Sequence, residues 1–314
     1  MDLKVLVTGG TGFIGSHLIP ELLKRGHDVY NLERYVTGRL QEPKHCKTLF
    51  ADLVDYAEVR QIIRNLKPEI VIHLAAISPV SYSYDKYIEV TETNYLGTIN
   101  LAEACRKVIS FKHFLFASTS ETYGMSPNPP FSETSPQQPN SPYAVSKVAC
   151  ERYLQYMRLA FDFPVTILRP FNTYGRKSDH HFVVESMIVQ MLTKEQCFFG
   201  DPDPVRDFLY VDDHVNAYMS VLEQPDQSIG QVFNFCTGRG VSIRELAEMI
   251  AEITNFTGEI HWNSIPKRPL DIPVLIGKND KAKTVLNWTP TVTLEDGLKR
   301  TVQFWKQKLE GARR

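Results

Sequence analysis

Short apolar runs alternate with helix-length amphipathic segments through the first half of the chain. Runs rich in Val, Ile, Leu and Phe fall at residues 3–8, 28–32, 47–51, 69–74, 112–118 and 165–169. They are continuous rather than alternating, which predicts strands buried on both faces of a parallel sheet. Between them, residues 13–25, 55–66, 84–107 and 142–161 read as helices, with Gly26 placed to end the first as a C′ glycine. This alternation predicts a doubly wound parallel α/β sheet covered by helices on both sides. After about residue 170 the rhythm loosens. Helices near 182–193, 212–223, 242–254 and 293–309 are separated by Pro- and Gly-containing loops such as Gly200–Pro204. The three prolines from Ile265 to Pro273 mark another loop. No internal repeat or low-complexity tract interrupts the pattern. A smaller, partly interleaved C-terminal region that completes a ligand site is the expected arrangement.

The first strand–helix junction carries chemistry. Thr8-Gly9-Gly10-Thr11-Gly12-Phe13-Ile14-Gly15 sets Gly9, Gly12 and Gly15 in G-x-x-G-x-x-G spacing. Such glycines permit a tight turn, close backbone approach to a pyrophosphate and close helix–strand packing. The helix N-terminus then offers N–H groups and a favourable dipole to the phosphates. Acidic Glu33 follows eighteen residues after Gly15, at the end of strand two. A carboxylate there accepts hydrogen bonds from an adenosine ribose and repels a 2′-phosphate, which favours NAD. The adjacent Arg34 could pair with that phosphate instead, so NADP stays open. Asp52 and Leu53 after strand three are placed to meet the adenine, and Leu74, Ala75 and Ala76 after strand four offer small residues to the cofactor. Residues 1–170 are therefore expected to form a Rossmann-type NAD(P)-binding domain, with segments near 206–236 returning to it. Residues 171–314 are expected to be mainly a substrate-binding region.

Tyr143 and Lys147 stand four residues apart, which on a helix puts both on one face. Asn140-Ser141-Pro142 supplies the helix start, with Ser141 able to cap and Pro142 acceptable at the first position. A Lys⁺ beside a Tyr favours the phenolate, so the pair is expected to act as a proton acceptor near neutral pH. Thr119-Ser120-Glu121, on a separate segment, adds a second acid/base group. A dehydrogenase needs one proton relay and one hydride acceptor. Removal of water from the substrate needs a further acid/base, and Glu121 is the candidate.

Composition narrows the classes. Lys and Arg number 35 against 36 Asp and Glu, a net charge of −1. Without a basic stripe there is no footprint for nucleic acid or an anionic membrane. The chain opens on a strand-like segment rather than a secretory signal, and no apolar run reaches the roughly 18–20 residues of a membrane-spanning helix. Cys46, Cys105, Cys150, Cys197 and Cys236 are scattered, which fits buried thiols in a reducing compartment and speaks against a disulfide frame or a zinc site. A soluble cytoplasmic protein without a metal site is expected. His180-His181 resembles a metal pair, but adjacent histidines are expected to point apart, and a substrate-loop position suits them better.

Together these motifs resemble the extended short-chain dehydrogenase/reductase family, in its nucleotide-sugar epimerase/dehydratase branch. The resemblance runs through the glycine loop, His73-Leu74-Ala75-Ala76, Asn94, Ser118-Thr119 and Tyr143/Lys147. It continues through Arg169-Pro170-Phe171-Asn172-Thr173-Tyr174-Gly175, Val205-Arg206-Asp207-Phe208 and Arg268-Pro269-Leu270-Asp271-Ile272-Pro273. It implies a tightly held nicotinamide cofactor, touched also by Asn94, and a nucleoside-diphosphate sugar as substrate. Thr119 matches the hydroxyl that meets the sugar 4-OH beside Tyr143, and Lys147 would orient the nicotinamide ribose. Asn172, Arg206 and Arg268 match positions that bind the substrate's phosphates and nucleotide, a role suited to guanidinium groups. The resemblance further implies a homodimer or tetramer, with helices near 84–107 and 142–161 packing across a dimer and Ala149, Tyr153, Tyr156 and Leu159 offering an apolar face.

Within that branch, 4-epimerases usually lack a carboxylate at the Glu121 position, whereas 4,6-dehydratases carry one. Thr-Ser-Glu is the form of the GDP-mannose dehydratases, and UDP-glucuronate decarboxylases share it. The tail from Arg268 to Gly277 and the segment Gly200–Phe208 look most like GDP-mannose dehydratases. The Glu33-Arg34 pair departs from the paired basic residues of their NADP-using members. The expectation is a 4,6-dehydratase acting on a GDP-mannose-like substrate. The alternatives are a 4-epimerase or decarboxylase on the same Tyr143/Lys147 pair and, more remotely, a non-catalytic NAD(P)-binding regulator.

Overall fold

The computed structural model describes residues 3–34, 46–177 and 179–311. In chain order the first half forms β1 (Lys4–Thr8), α1 (Phe13–Lys24), β2 (Asp28–Glu33), β3 (Lys47–Phe50), α2 (Tyr56–Leu66) and β4 (Ile70–His73). There follow α3 (Val80–Asp85), α4 (Tyr87–Thr91), a π turn (Glu92–Leu96), α5 (Gly97–Arg106), β5 (His113–Ala117), α6 (Pro142–Phe161) and β6 (Val165–Pro170). The second half adds β7 (Asn172–Tyr174), α7 (Val183–Thr193), β8 (Gln196–Phe198), β9 (Val205–Tyr210), α8 (Val211–Glu223), α9 (Pro225–Ser228) and β10 (Val232–Phe235). It closes with β11 (Gly240–Ser242), α10 (Ile243–Thr254), β12 (Glu259–His261), β13 (Val274–Leu275), α11 (Asp280–Leu286) and α12 (Leu294–Gly311).

Seven strands form one sheet in the order β3-β2-β1-β4-β5-β6-β10, every pair parallel. This is the Rossmann-type arrangement, and the order reverses at the β1/β4 boundary, where such sheets open a crevice for a ligand. Successive residues serve opposite layers. Val5, Val7, Leu115 and Leu168 pack with α1, α8 and α11, while Leu6, Val71, Phe114, Phe116 and Ile167 pack with α2, α5 and α6. Burial on both faces is what makes these strands read as continuous apolar runs.

The sequence pattern missed β10, although it belongs to this sheet. Asn234 interrupts its apolar run, yet is wholly buried, accepting from the Tyr123 hydroxyl at 2.6 Å and donating to the Phe131 carbonyl at 3.0 Å. A second, four-stranded sheet sets β9 between β11 and β13, with β7 also paired to β9. The core beneath it draws Val184, Ile188, Phe208, Leu246, Ile250 and Trp305 from α7, β9, α10 and α12.

The single helix expected over 84–107 is a correction. It breaks at Lys86 and passes through the π turn before α5 begins. Asn94 in that turn is held by partners outside the helix, which outweigh regular winding. Gly97 then lets α5 press on Leu53, because a Cβ there would sit 2.9 Å from the Leu53 Cβ. On α6, Cys150, Leu154 and Met157 face the sheet, while Tyr156 and Leu159 point outward, Leu159 with 88 % of its surface exposed. Among the described residues no helix is long and apolar enough to cross a membrane, and no cluster of three potential metal ligands occurs. His180 and His181 do not point apart as expected. Their rings lie 4.9 Å from each other at 31°, with His180 edge-on to Trp305.

Candidate active site

The loop from Thr8 to Gly15 turns β1 into α1 at the switch point. Gly9 adopts φ +72°, and a Cβ there would meet the Ala75 backbone at 2.9 Å. At Gly15 a Cβ would lie 2.5 Å from the Gly10 Cα and 2.6 Å from the Gly9 and Gly10 carbonyl oxygens. Both positions exclude any side chain. Gly12 caps α1 with extended backbone, no side chain caps the helix, and no acid occupies its first turn. The first N–H groups therefore face the crevice as an anion cradle, a fit for a dinucleotide pyrophosphate.

Side chains from β2 fix that loop. Asn31, buried and not singled out from sequence, accepts from the Gly10 N–H at 2.9 Å. The Glu33 Oε1 accepts from the Thr11 N–H at 2.7 Å and from its hydroxyl at 2.9 Å. The carboxylate expected to meet a ribose is thus first a strut for the glycine loop, through Oε1. Arg34 forms an ion pair with Glu89 at 3.9 Å. Asp52 Oδ1 accepts from the Val54 N–H at 3.0 Å, and Leu53 is buried.

At the end of β4, the Thr8 hydroxyl meets His73 Nδ1 at 2.7 Å and accepts from the Ala75 N–H at 3.2 Å. His73 Nε2 meets the Thr98 hydroxyl at 2.9 Å. Burial, assisted by the Lys147 charge, pushes His73 down to about 3, so the ring is neutral. Asn94 accepts from the Ile77 N–H at 2.8 Å and donates to the Ile77 carbonyl and the Ser146 hydroxyl, each at 3.1 Å. It binds the segment after Leu74, Ala75 and Ala76 to α6. That places it as a positioning residue.

The predicted acid/base residues come together. Ser141 caps α6 by accepting from the Ala144 N–H at 3.2 Å, which sets Tyr143 and Lys147 one turn apart and buried. A side-chain hydrogen bond joins Tyr143 to Thr119, and Thr119 Oγ1 accepts from the Glu121 N–H at 3.1 Å. Ser120, also buried, begins the tight 3₁₀ turn that carries Glu121. The expectation that Lys147 lowers the Tyr143 phenol is corrected here. Burial pushes the phenol above its ordinary value, the Thr119 hydrogen bond opposes this, and the Glu121 charge adds to it. Lys147 instead donates to the Ala117 carbonyl at 2.7 Å, and burial pushes its ammonium down to about 8.

Glu121 faces a charged cluster. Its Oε2 is enclosed without a hydrogen-bond partner, and burial pushes its carboxyl up, against Arg206 and Arg268 and with Asp271. Arg206, from β9, and Arg268 both reach Asp271 Oδ1, at 3.4 Å and 2.5 Å. Tyr84 belongs to the same cluster, its phenol pushed up by burial and by Glu121 and Asp271 while Arg268 opposes. The Asn172 Oδ1 is buried without a partner. Sequence reasoning gave no role to Asp271 or Tyr84. Asp271 stood inside a quoted motif, but its sharing by two arginines is set by the meeting of β9 with a distant loop.

A buried network supports this floor. Arg169 donates to both Glu151 oxygens, from Nε at 2.9 Å and from its terminal nitrogen at 2.5 Å. Glu151 also accepts from Ser118 and from Gln137, and Arg169 donates to the Tyr123 hydroxyl at 3.0 Å. Breaking such a pair leaves an uncompensated buried charge. Glu151→Gln is expected to destabilise the fold by about 3–5 kcal/mol in denaturant unfolding. A midpoint equal to wild type would remove the ion pair from the account of stability.

The sequence profile of the family described as GDP-mannose 4,6 dehydratase matches residues 6–301. The chain belongs to this family, the nucleotide-sugar epimerase/dehydratase branch of the extended short-chain dehydrogenases/reductases. Among its relatives, the UDP-glucose 4-epimerase of Mycolicibacterium smegmatis is 35 % identical over 98 % of this chain and 99 % of its own length. The human dTDP-D-glucose 4,6-dehydratase is 31 % identical over 97 % of this chain and 90 % of its own. A solved UDP-glucose 4-epimerase from Thermus thermophilus, in complex with NAD, superposes with a TM-score of 0.88 at 33 % identity, covering 97 % of this chain and 99 % of that one. The NAD expectation agrees with this relative. Epimerase/dehydratase family enzymes thus include both reactions at similar distance from this chain, which is an enzyme of that kind.

Proposed function

We propose that this enzyme oxidises C4 of a nucleoside-diphosphate hexose and then eliminates water across C5 and C6, as a 4,6-dehydratase. The observation that carries the second half is Glu121, a buried carboxyl with an unpartnered oxygen, electrostatically coupled to Tyr143. NAD, which Gly9, Gly12, Phe13, Ile14, Gly15, Glu33 and Lys147 would hold, supplies the reversible hydride acceptor. Tyr143 would take the proton of the 4-OH, with Thr119 holding that hydroxyl. The 4-ketone acidifies the C5–H, and Glu121 would remove that proton. The carboxylic acid so formed would return the proton to the departing C6 hydroxyl, which leaves as water, and raising the carboxyl's pKa suits it to both duties. Return of the C4-derived hydride to C6, with a proton to C5, would then give the 4-keto-6-deoxy sugar. Arg206 and Arg268 would exchange Asp271 for the substrate's diphosphate, with Asn172 close by.

A second reading is favoured by the relatives. The Mycolicibacterium smegmatis and Thermus thermophilus proteins are named as UDP-glucose 4-epimerases. In that reading Tyr143 and Lys147 act alike, and Glu121 only binds the sugar. Incubation with GDP-mannose, UDP-glucose, UDP-N-acetylglucosamine and dTDP-glucose separates the two by mass. A dehydratase product is lighter by one water, and an epimerase product has unchanged mass. Unchanged mass with an inverted C4 would overturn the dehydratase reading.

We also place a second copy of the chain on the outward face of α4 and α6, where Tyr87, Ile88, Tyr156 and Leu159 are exposed. Sedimentation is expected to give a dimer that Leu159→Asp converts to monomer. A wild-type monomer would remove this assembly.

A further inference from the structure

Lys177 is a buried ammonium that the chemistry above leaves unused. It follows β7, is nine-tenths buried, and sets Nζ 4.9 Å from the ring centre of Phe13 and over the ring of Phe182. Phe13 is the first residue of α1, directly after Gly12, so this ammonium lies against a side chain of the turn that forms the anion cradle. Among the described residues no carboxylate lies within ion-pair distance of Nζ. Glu185, whose charge acts on Lys177, gives its Oε1 to the Gly175 N–H at 3.2 Å. Nor does α1 supply an acid of its own, since its first turn has none and no side chain caps it. Glu185 and Asp179 act on this charge only through space, which leaves Nζ free to take a direct contact from a bound anion.

We propose that Lys177 is a cationic contact for the cofactor's pyrophosphate, closing over Phe13 onto the phosphates at the N-terminus of α1. This rests on the NAD reading and adds to it a contact from the C-terminal half of the chain. Burial pushes the Lys177 ammonium below its ordinary value, and an adjacent anion would hold it charged.

The test titrates cofactor-stripped protein with NAD, ADP-ribose and adenosine. Lys177→Met is expected to weaken NAD and ADP-ribose by about 10- to 100-fold, the scale of one charge-assisted hydrogen bond. Adenosine, which lacks the phosphates, should bind as it does to wild type. Lys177→Gln is expected to lose the same affinity and Lys177→Arg to keep it. The rise in melting temperature on adding NAD should shrink in the Met variant. A Met variant that binds NAD as tightly as wild type, or that loses adenosine in equal measure, overturns the contact. A wild-type protein that binds no NAD overturns the cofactor reading instead.

Discussion

Tyr143→Phe is expected to lower turnover by about 10²–10⁴-fold while leaving the bound-cofactor content unchanged. The ring stays, so the packing at the start of α6 survives. What goes is the hydroxyl that Thr119 holds and that would take the 4-OH proton. In the unliganded protein this phenol is pushed up by burial rather than lowered by Lys147. The Tyr143 base is therefore expected to be completed by what binds beside it, while Lys147 donates to the Ala117 carbonyl in this structure. The measurement is steady-state turnover on the active nucleotide sugar, together with cofactor absorbance of the purified variant. Wild-type turnover in the Phe variant would remove Tyr143 from the chemistry.

Glu121→Gln divides the two reactions. For a dehydratase, formation of the water-depleted product is expected to fall by about 10²–10⁴-fold. Oxidation at C4 should persist, seen as reduced cofactor accumulating during the reaction. For an epimerase the unchanged-mass product would form at nearly the wild-type rate, and that result would sink the elimination role. The same variant carries a stability signature of opposite sign. The folded carboxyl is pushed above its ordinary value, so ionising it disfavours the folded state, and its contribution to stability falls as pH rises through that folded pKa window. Gln cannot ionise. The variant is expected to lose less stability than wild type as pH rises above the ordinary carboxylate range. A group kept at some cost to stability is characteristic of function.

The strands around the switch point were legible because doubly buried strands leave unbroken apolar runs. The glycine loop and the Tyr143/Lys147 pair were legible because their spacing is local. The strands of the second sheet were not. Arg206 and Asp207 place charges inside β9, and both are buried, Asp207 accepting from the Thr237 and Gly238 N–H groups at 2.8 and 2.9 Å. Strand polarity of that kind is answered only by distant partners, as with Asn234 in β10. Asp271 and Tyr84 were silent for the same reason, since nothing near either residue says that two arginines will converge there. Glu33 shows a subtler limit. Its position was readable, but the bonds to Thr11 were not, so its first duty in the structure is to shape the loop.

The π turn at Glu92–Leu96 can be regarded as a setting device. Each residue of an α-helix advances by about 100°, so one surplus residue shifts everything beyond it by that angle. Asn94 uses this offset to grip Ile77 and Ser146 together, the one leading from the crevice at the switch point and the other lying on α6 one residue before Lys147. Deleting a single residue there would restore regular winding and swing the amide away from both. The surplus residue thus acts as a timing pin, keeping α6 in phase with the segment that follows β4.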